Sequence, residues 1–195
     1  MGGGLQRAGA RVGASAWFGE LAGPDARGVG APASAVFGRA HGSITLAENG
    51  AVATKGEGGG GFRSAASMVV MRSGRHFAQF TVVEGNYMYF GVIRPGWGVA
   101  GVNAMDEDGH CFYQTGGGRR HPGWINWGGM QGAREQGDRI GLLLDLDQGS
   151  MTVWKGDEKL GVMVAEGLTG PLCWGVSLYR GGSARIGSAA LPAHD

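Results

Sequence analysis

Short runs in which apolar and polar residues alternate recur along most of this chain, and the clearest group lies in residues 138–164. Ile140, Leu142 and Leu144 are two residues apart, and a similar spacing returns after each of two glycine-containing turns. A period near two over runs this short predicts strands, because an amphipathic helix needs a longer run with a period near 3.6 residues. Glycine in the turns accepts positive φ. The segment therefore predicts an antiparallel meander of three strands.

Comparable runs lie on both sides of this meander. They cover residues 44–47, 51–55, 68–71, 76–83, 87–93, 110–115, 172–179 and 183–188. Asn49-Gly50, between the first two runs, is a strong hairpin signal, and Phe77 falls out of alternation with its neighbours, which predicts a bulge or kink. About eleven short strands at roughly regular spacing, without a convincing helix, predict an all-β sandwich or barrel.

The first part of the chain has a different composition. Residues 1–40 are rich in Gly, Ala and Arg, are poor in acids and show no sustained periodicity. Such a segment buries too little apolar surface to offset the entropy lost on ordering. We therefore predict a disordered leader over residues 1–42, a folded domain over residues 43–189 and a short tail over residues 190–195. An organelle transit peptide is the alternative for the leader, because that class is also Arg-rich and acid-poor.

Charge and hydropathy argue against two classes of partner. The formal net charge is +1 and 17% of the residues are charged, whereas a general nucleic-acid binder is strongly basic. No apolar run approaches the roughly 20 residues needed to cross a bilayer. We expect neither nucleic acid nor membrane as a partner, and a cytoplasmic or nuclear location. Cys111 and Cys173 each lie inside an apolar run, which predicts buried, reduced thiols.

Two glycine-rich stretches raise the question of phosphate binding. Residues 56–61 satisfy G-x-G-x-x-G, but a dinucleotide-binding motif needs a buried strand before it and a helix after it. No helical pattern follows, so we interpret this stretch as a flexible loop. Residues 116–121 place three glycines beside Arg119 and Arg120. That arrangement fits either an ordinary basic loop or a loop that recognises a phosphate or an acidic peptide.

Candidate catalytic and metal-binding residues do not form a recognisable set. Asp145 and Asp147 project toward one face, as a glycosidase pair would, but no opposing carboxylate is evident and a turn-stabilising role is favoured. Residues 106–109 match part of a calcium loop and lack its other ligands. The histidines and cysteines lack metal-ligand spacing, and no G-x-S-x-G motif occurs. We predict no enzyme activity, no metal and no cofactor.

Aromatic and arginine side chains in loops or at strand ends are the candidate binding residues. A rigid sandwich presents its binding residues at such positions, and Trp, Tyr and Arg dominate the energetics of interfaces. The predicted set is Arg94, Trp97, Arg119, Arg120, Trp124, Trp127, Tyr179 and Arg180. The alternative is that the Trp rings fold back over the edges of the sandwich. A carbohydrate-binding module is the alternative function, with the rings of Trp97, Trp124 and Trp127 stacked on sugars.

The order of five sequence blocks resembles a SPRY domain. The blocks are SGRHFAQFTV (residues 73–82), YMYFGVI (87–93), DEDGHCFYQTGGGRRHPG (106–123), GDRIGLLLDLDQGSMTVWKGDEKLG (137–161) and GPLCWGVSLYRGGSARI (170–186). The resemblance extends over residues 43–189. It is most similar to the branch of Ran-binding-protein M rather than to the TRIM proteins, because no PRY segment is evident. The sequence contains no RING, SOCS-box or kinase segment, so a free-standing SPRY protein is expected.

The resemblance implies a bent antiparallel two-sheet β-sandwich of the concanavalin-like jelly-roll type. Such domains are generally non-catalytic adaptors, often attached to ubiquitin-ligase, chromatin or trafficking machinery. It also implies a ligand pocket built from Tyr179 and Arg180, from residues 94–97 and from residues 54–55, although the family carries an aromatic residue where this chain has Arg180. We therefore predict that a protein or short peptide docks on one end of the sandwich. That end would consist of residues 94–97, 115–127 and 179–180.

Overall fold

The computed structural model describes Met1 and residues 35–101, 104–121 and 123–192. These residues form strands and two short 3₁₀ turns, Glu48–Gly50 and Ala104–Asp106. The strands are β1 (Phe37–Ala40), β2 (Ile44–Ala47), β3 (Val52–Lys55), β4 (Arg63–Ser67), β5 (Arg75–Glu84), β6 (Met88–Ile93), β7 (Cys111–Gln114), β8 (Arg119–Arg120), β9 (Trp124–Ile125), β10 (Arg139–Asp145), β11 (Ser150–Lys155), β12 (Glu158–Val164), β13 (Cys173–Leu178) and β14 (Ser183–Gly187).

The strands form two antiparallel sheets. The first sheet has the order β1-β4-β13-β6-β7-β8-β9, and the second has the order β12-β11-β10-β5-β14-β3-β2. Strands that are distant in the chain, such as β4 and β13, are direct neighbours. The prediction of an all-β, two-sheet antiparallel sandwich is confirmed.

The main hydrophobic core lies between the two sheets. Alternate residues of β6 (Met88, Phe90 and Val92) and of β10 belong to it, as a period of two requires when one face of a strand is buried. The rings of Phe80 in β5 and Phe90 in β6 stack across the sandwich, with centroids 5.1 Å apart and planes 13° apart. The two sheets are therefore joined by direct contact between side chains from both.

The predicted meander is strands β10, β11 and β12. Its first turn brings Asp145 opposite Ser150, and its second brings Lys155 opposite Glu158. The predicted Asn-Gly hairpin is also present between β2 and β3, where Asn49 has a φ of 55°. Both features follow from turn residues that accept positive φ.

The strand predicted over residues 68–71 is wrong. The strand in this region is β4, and Met68 lies beyond it with 64% of its surface exposed. The sequence of β4, RSAAS, carries little hydrophobic signal, but its Ser64 hydroxyl is paired with the buried Ser177 hydroxyl of β13 at 2.6 Å. A polar side chain whose hydrogen bond is satisfied can be buried, so hydrophobicity alone misplaced this strand.

The bulge predicted at Phe77 is also wrong. Strand β5 pairs with β10 in a regular register from Arg75 opposite Asp145 to Thr81 opposite Arg139. Phe77 breaks the alternation because it points to the outer face of the second sheet. There it packs on Trp154, with ring centroids 5.8 Å apart.

Strand β1 lies inside the range predicted for the leader, and its Phe37 is part of the main core. At the other end, Leu191 packs against the cluster of Phe77, Leu143 and Trp154, although residues 190–195 were assigned to the tail. Residues 2–34 and 193–195 lie outside the described residues, so the division into leader, domain and tail remains a prediction. Within the described part of the chain, no helix has the length and apolar character needed to span a membrane.

Candidate functional site

The outer face of the first sheet carries a second, smaller set of packed side chains. In β6 the residues that alternate with the core, such as Tyr89 and Ile93, belong to this set together with Phe112 of β7. The loop after β6 covers the part near Ile93, because Ala104, Met105 and the partly buried Trp97 pack there. The opposite part of the face, near the start of β6, carries a group of aromatic rings.

Four rings form what we call the aromatic cluster: Phe62, Tyr87, Tyr89 and Tyr179. Phe62 is at its centre, with ring centroids 5.1 Å from Tyr87, 5.1 Å from Tyr89 and 5.2 Å from Tyr179. Tyr87 lies 6.0 Å from Tyr89 and 5.9 Å from Tyr179. These separations lie in the range of edge-to-face and tilted aromatic contacts. The cluster is therefore a packed unit.

The sheet positions these four rings. Tyr87 precedes β6 and Tyr89 is the second residue of β6. Phe62 precedes β4, and Tyr179 follows β13. Because β4, β13 and β6 are consecutive neighbours in the first sheet, the ends of these three strands lie side by side. Tyr87 and Tyr89 flank Met88 in the sequence. Because Met88 points into the main core, both Tyr rings lie on the outer face.

The cluster is layered from buried to exposed. Tyr89 is 3% exposed, and its burial, followed by its interaction with the Tyr87 hydroxyl, raises the pKa of its own hydroxyl. Tyr87 is 40% exposed, and Phe62 and Tyr179 are half-buried. The cluster thus offers a ligand an apolar surface in which Tyr89 is buried and the other three rings are partly exposed.

Charged side chains border the cluster on two sides. The guanidinium carbon of Arg180 lies 5.9 Å from the ring centroid of Tyr179, in a cation–π contact, and Arg180 itself is exposed. On the other side, Arg120 pairs with the carboxylate of Asp106. The hydrogen bond to Asp106 raises the pKa of Arg120, and Tyr89 and Tyr87 act in the same direction. Tyr179, Arg180 and Arg120 are the predicted site residues that the structure brings to this cluster.

Arg94 and Trp97 lie at the other end of the first sheet. Leu178 pairs with Met88 and Cys173 pairs with Ile93, so the residues after β13 and after β6 emerge at opposite ends. Six-residue strands separate these ends by about 17 Å. We expected residues 94–97, 115–127 and 179–180 to form one end of the sandwich. The register corrects this expectation, because residues 94–97 and residues 179–180 lie at opposite ends of the first sheet.

At that other end, both side chains have structural contacts. The guanidinium of Arg94 donates to the Thr169 carbonyl at 2.6 Å, to the Thr169 hydroxyl at 3.2 Å and to the Pro171 carbonyl at 3.4 Å. The Trp97 ring packs edge-on against His110 at 5.7 Å, and its carbonyl accepts a hydrogen bond from Arg39. Arg94 thus ties two loops together.

Residues 114–137 contain the β8–β9 hairpin, which lies at the edge of the first sheet. Arg119 in it donates to the Met163 carbonyl of β12 at 2.8 Å, which joins the edges of the two sheets. Trp127 donates from Nε1 to the Gly117 carbonyl at 2.8 Å and packs against the main core. Arg119 and Trp127 thus both close the edge of the sandwich. For Trp127 this is the alternative given above, in which the Trp rings fold back over the edges.

Trp124 differs from the other two predicted tryptophans. It is 46% exposed and pairs with Arg120 across the hairpin, so it shares the outer face with the aromatic cluster. Its ring lies against Gly118, where a side chain of any size would collide with it. Trp97 packs with the outer set and Trp127 with the main core, so the three rings do not form one stacking platform.

The other candidate groups have structural partners. Asp145 accepts hydrogen bonds from the backbone N–H groups of Asp147 and Gln148 at 3.0 and 2.9 Å, and Asp147 accepts one from Gly74 at 2.9 Å. Both carboxylates therefore stabilise turns. In the loop of residues 116–121, the N–H groups of Gly116 and Gly117 are bonded to Gln114. Within the described residues, no three His, Cys, Asp or Glu side chains group as metal ligands would.

The two cysteines are buried and unpaired, as predicted. Burial raises the pKa of the Cys111 thiol to about 12, and burial also raises the pKa of Cys173. A thiol that stays protonated is a poor nucleophile, so neither cysteine is suited to covalent chemistry.

Comparison with solved structures places the sandwich among known folds. The SPRY domain of human HERC1 superposes with a TM-score of 0.65 at 24% sequence identity, over 78% of this chain and 97% of that one. The chain has the SPRY fold. The PSpry domain of TRIM65 superposes with a TM-score of 0.61 at 14% identity, over 80% of this chain and 93% of that one. No protein-family model and no curated protein matches the sequence.

The SPRY resemblance inferred from the five sequence blocks is thus confirmed at the level of the fold. The branch of Ran-binding-protein M remains a prediction. The sequence-based set did not include Phe62, Tyr87 or Tyr89. The motif Y-x-Y at the start of an otherwise apolar strand is a signal for the two tyrosines, whereas Phe62 follows a run of glycines and has no local signal.

Proposed function

We propose that this SPRY-fold protein is a non-catalytic interaction module that binds a protein or short peptide on the aromatic cluster. The observation that carries the proposal is the partly exposed packing of Phe62, Tyr87 and Tyr179 over a buried Tyr89, with Arg180 at the rim. Aromatic and arginine side chains around a water-excluding centre are typical of binding hot spots. The fold shared with other SPRY domains supports an interaction module.

The cluster suits an apolar ligand side chain flanked by polar groups. Tyr87 and Tyr179 supply apolar area at a low cost in side-chain entropy. Arg180 pairs with a carbonyl or an acidic group of the ligand, because its guanidinium has no hydrogen bond to the described residues and is exposed. Attachment to ubiquitin-ligase or other adaptor machinery, implied by the resemblance, remains a prediction.

Two other functions receive less support from the geometry. Sugar stacking on Trp97, Trp124 and Trp127 would need a shared surface, and the first and last of these rings pack in different clusters. Hydrolysis by Asp145 and Asp147 would need carboxylates free to exchange protons, and both are bound to turn amides. Peptide or protein binding is therefore the function that we propose to test.

The experiment selects ligands for the whole chain from a degenerate displayed peptide library. It then measures their affinity for the wild type, for Tyr87→Ala and for Arg180→Glu. Loss of a hot-spot side chain costs at least about 2 kcal/mol, so each variant is expected to bind at least about 30-fold more weakly. The matched controls are Met130→Ala, since Met130 is 42% exposed against 40% for Tyr87, and Arg139→Glu on the second sheet.

Enrichment of related peptides by the wild type, with loss of affinity in the two site variants alone, supports the proposal. Circular dichroism and a urea unfolding curve establish that every variant is folded. Affinity unchanged in folded Tyr87→Ala and Arg180→Glu, or the absence of any enriched peptide, overturns this assignment of the site.

A further inference from the structure

A basic pocket opens beside the aromatic cluster. It is a cavity of about 340 Å³, lined by His41, Ser43, Lys55 and Arg63 and by three glycines of the following loop, Gly56, Gly58 and Gly59. Arg63 directly follows Phe62, and Arg180, which directly follows Tyr179, acts electrostatically on Lys55. Two cluster rings therefore have sequence neighbours that contribute positive charge to this pocket.

Lys55 is the buried element of the pocket. It is 1% exposed, and its ammonium donates to the carbonyls of Gly56, Gly58 and Gly59 at 3.3, 3.1 and 3.2 Å. The lysine thus holds the glycine-rich loop in place and leaves a positive charge under the pocket. Burial, followed by repulsion from Arg63 and Arg180, lowers the pKa of Lys55. Such a site is stabilised when a negative charge enters it.

Arg63 supplies the donors that reach a ligand. It donates from Nη1 to the Phe62 carbonyl at 2.7 Å, and its guanidinium has no other hydrogen bond to the described residues. His41 contributes a neutral donor: its Nδ1 accepts the backbone N–H of Ser43 at 3.0 Å, which leaves the proton on Nε2. Burial, followed by repulsion from Arg63 and Lys55, lowers the pKa of His41 and so favours this neutral form.

The charges around the pocket are unbalanced. The groups that act on Lys55 are the cations of Arg63 and Arg180 and the carboxylate of Glu57. With Lys55 itself, three positive charges face one negative charge, and none of the three cations forms an ion pair within the described residues. A carboxylate would neutralise half of this excess, whereas a phosphate monoester carries a charge of about −1.5 to −2 at pH 7.

We propose that this pocket binds the phosphate group of a phosphorylated side chain in the peptide that occupies the aromatic cluster. The proposal rests on the proposed function, since the same ligand would contact both surfaces. The phosphate oxygens accept from the Arg63 guanidinium and His41 Nε2, and Lys55 and Arg180 contribute charge. A peptide is favoured over nucleic acid because the chain as a whole has a net charge of +1, whereas a nucleic-acid binder is usually strongly basic.

The test compares three degenerate peptide libraries that differ at one fixed position, which holds serine, phosphoserine or glutamate. Binding to the whole chain is measured by fluorescence anisotropy. Because a charge-assisted hydrogen bond contributes about 1.5–3 kcal/mol, the phosphoserine library is expected to bind at least about 10-fold more tightly than the serine library. Glutamate is expected to give a smaller gain.

The pocket variant is Arg63→Gln, with Arg139→Gln as the matched control. Arg63→Gln is expected to bind the phosphoserine and serine libraries alike, while Arg139→Gln keeps the preference for phosphoserine. Arg180→Gln is a second variant, for use if Arg63→Gln fails to fold, because Arg180 is exposed. Its preference for the phosphoserine library over the serine library is expected to decrease.

The outcomes separate the two proposals. Equal binding of all three libraries by the wild type overturns the phosphate pocket and leaves the peptide-binding function standing, whereas no binding of any library overturns both. A preference for phosphoserine that persists in folded Arg63→Gln and Arg180→Gln also overturns the pocket. Tighter binding to phosphatidylcholine vesicles that contain phosphatidylinositol bisphosphate than to any peptide would assign the pocket to a lipid headgroup and overturn the peptide assignment.

Discussion

The ring centroids of Phe62 and Tyr179 lie 5.2 Å apart, with the ring planes tilted by 47°. Phe62 precedes β4 and Tyr179 follows β13, and the two strands pair with Arg63 opposite Leu178. An antiparallel register therefore places the residue before one strand beside the residue after the other. The aromatic cluster exists because the start of β4, the end of β13 and the start of β6 lie side by side at one end of the first sheet.

Phe62→Ala is expected to remove binding at the cluster. Its ring contacts three tyrosines and is half-buried, so we expect a loss of about 1–3 kcal/mol in the free energy of unfolding and at least about a tenfold loss of peptide affinity. Phe77→Ala is the matched control, because Phe77 lies on the outer face of the second sheet. The control is expected to lose stability in urea and to keep its affinity. Full affinity in folded Phe62→Ala would contradict this prediction.

Gly91→Ala is expected to destabilise the first sheet. A Cβ atom at Gly91 would lie 2.8 Å from Phe112 Cα and would collide with the Cys111 carbonyl oxygen. Overpacking against backbone cannot be relieved by a rotamer change, so we expect a loss of at least about 2–3 kcal/mol. Gly187→Ala, in β14, meets nothing within 4 Å and is expected to change stability by less than about 1 kcal/mol. Urea midpoints of the two variants that coincide would disprove the steric argument.

Trp154→Phe is expected to be tolerated much better than Trp154→Ala. The indole is fully buried on Phe77, but its Nε1 has no hydrogen-bond partner among the described residues. Phenylalanine keeps an aromatic contact and removes the unsatisfied donor, so its expected cost is below about 1.5 kcal/mol, against about 3–5 kcal/mol for alanine. Thermal and urea unfolding provide the comparison. An equal cost for both substitutions would contradict this prediction.

His110 is expected to make stability depend on pH. The ring is 2% exposed, and its burial lowers its pKa against the opposing effects of its hydrogen bond to the Ala104 carbonyl and of Glu107. Because the folded state favours the neutral ring, its contribution is complete above the ordinary histidine pKa and decreases as the pH falls below it. We expect wild-type stability to decrease from about pH 6.5 downward, with a slope of up to about 1.4 kcal/mol per pH unit.

His110→Gln is expected to flatten this part of the profile, measured as urea midpoints between pH 5 and 8. His76→Gln, at a half-buried position in β5, controls for the loss of a histidine elsewhere. A His110→Gln profile parallel to the wild-type profile would assign the pH dependence to other groups, His41 among them.

Several parts of the fold followed from local patterns. The meander β10–β12 and the β2–β3 hairpin carry both an alternation of apolar residues and turn residues with the required φ, so local signals were sufficient. Strand β4 and the short strands β8 and β9 lack that alternation. They form because neighbouring strands and loops satisfy their backbone and polar groups, as the Ser64–Ser177 pair shows.

The sequence by itself determined the all-β class, the sandwich and the resemblance to SPRY domains, because these depend on period, turn chemistry and the order of motifs. The tertiary structure alone decided which candidate residues lie together. Tyr179, Arg180 and Arg120 meet Phe62, Tyr87 and Tyr89 at one part of the outer face, whereas Arg94 and Trp97 lie at the far end of the same strands. The physical reason is that side-chain alternation is encoded locally, but strand order and register arise from pairing between segments that are far apart in the chain.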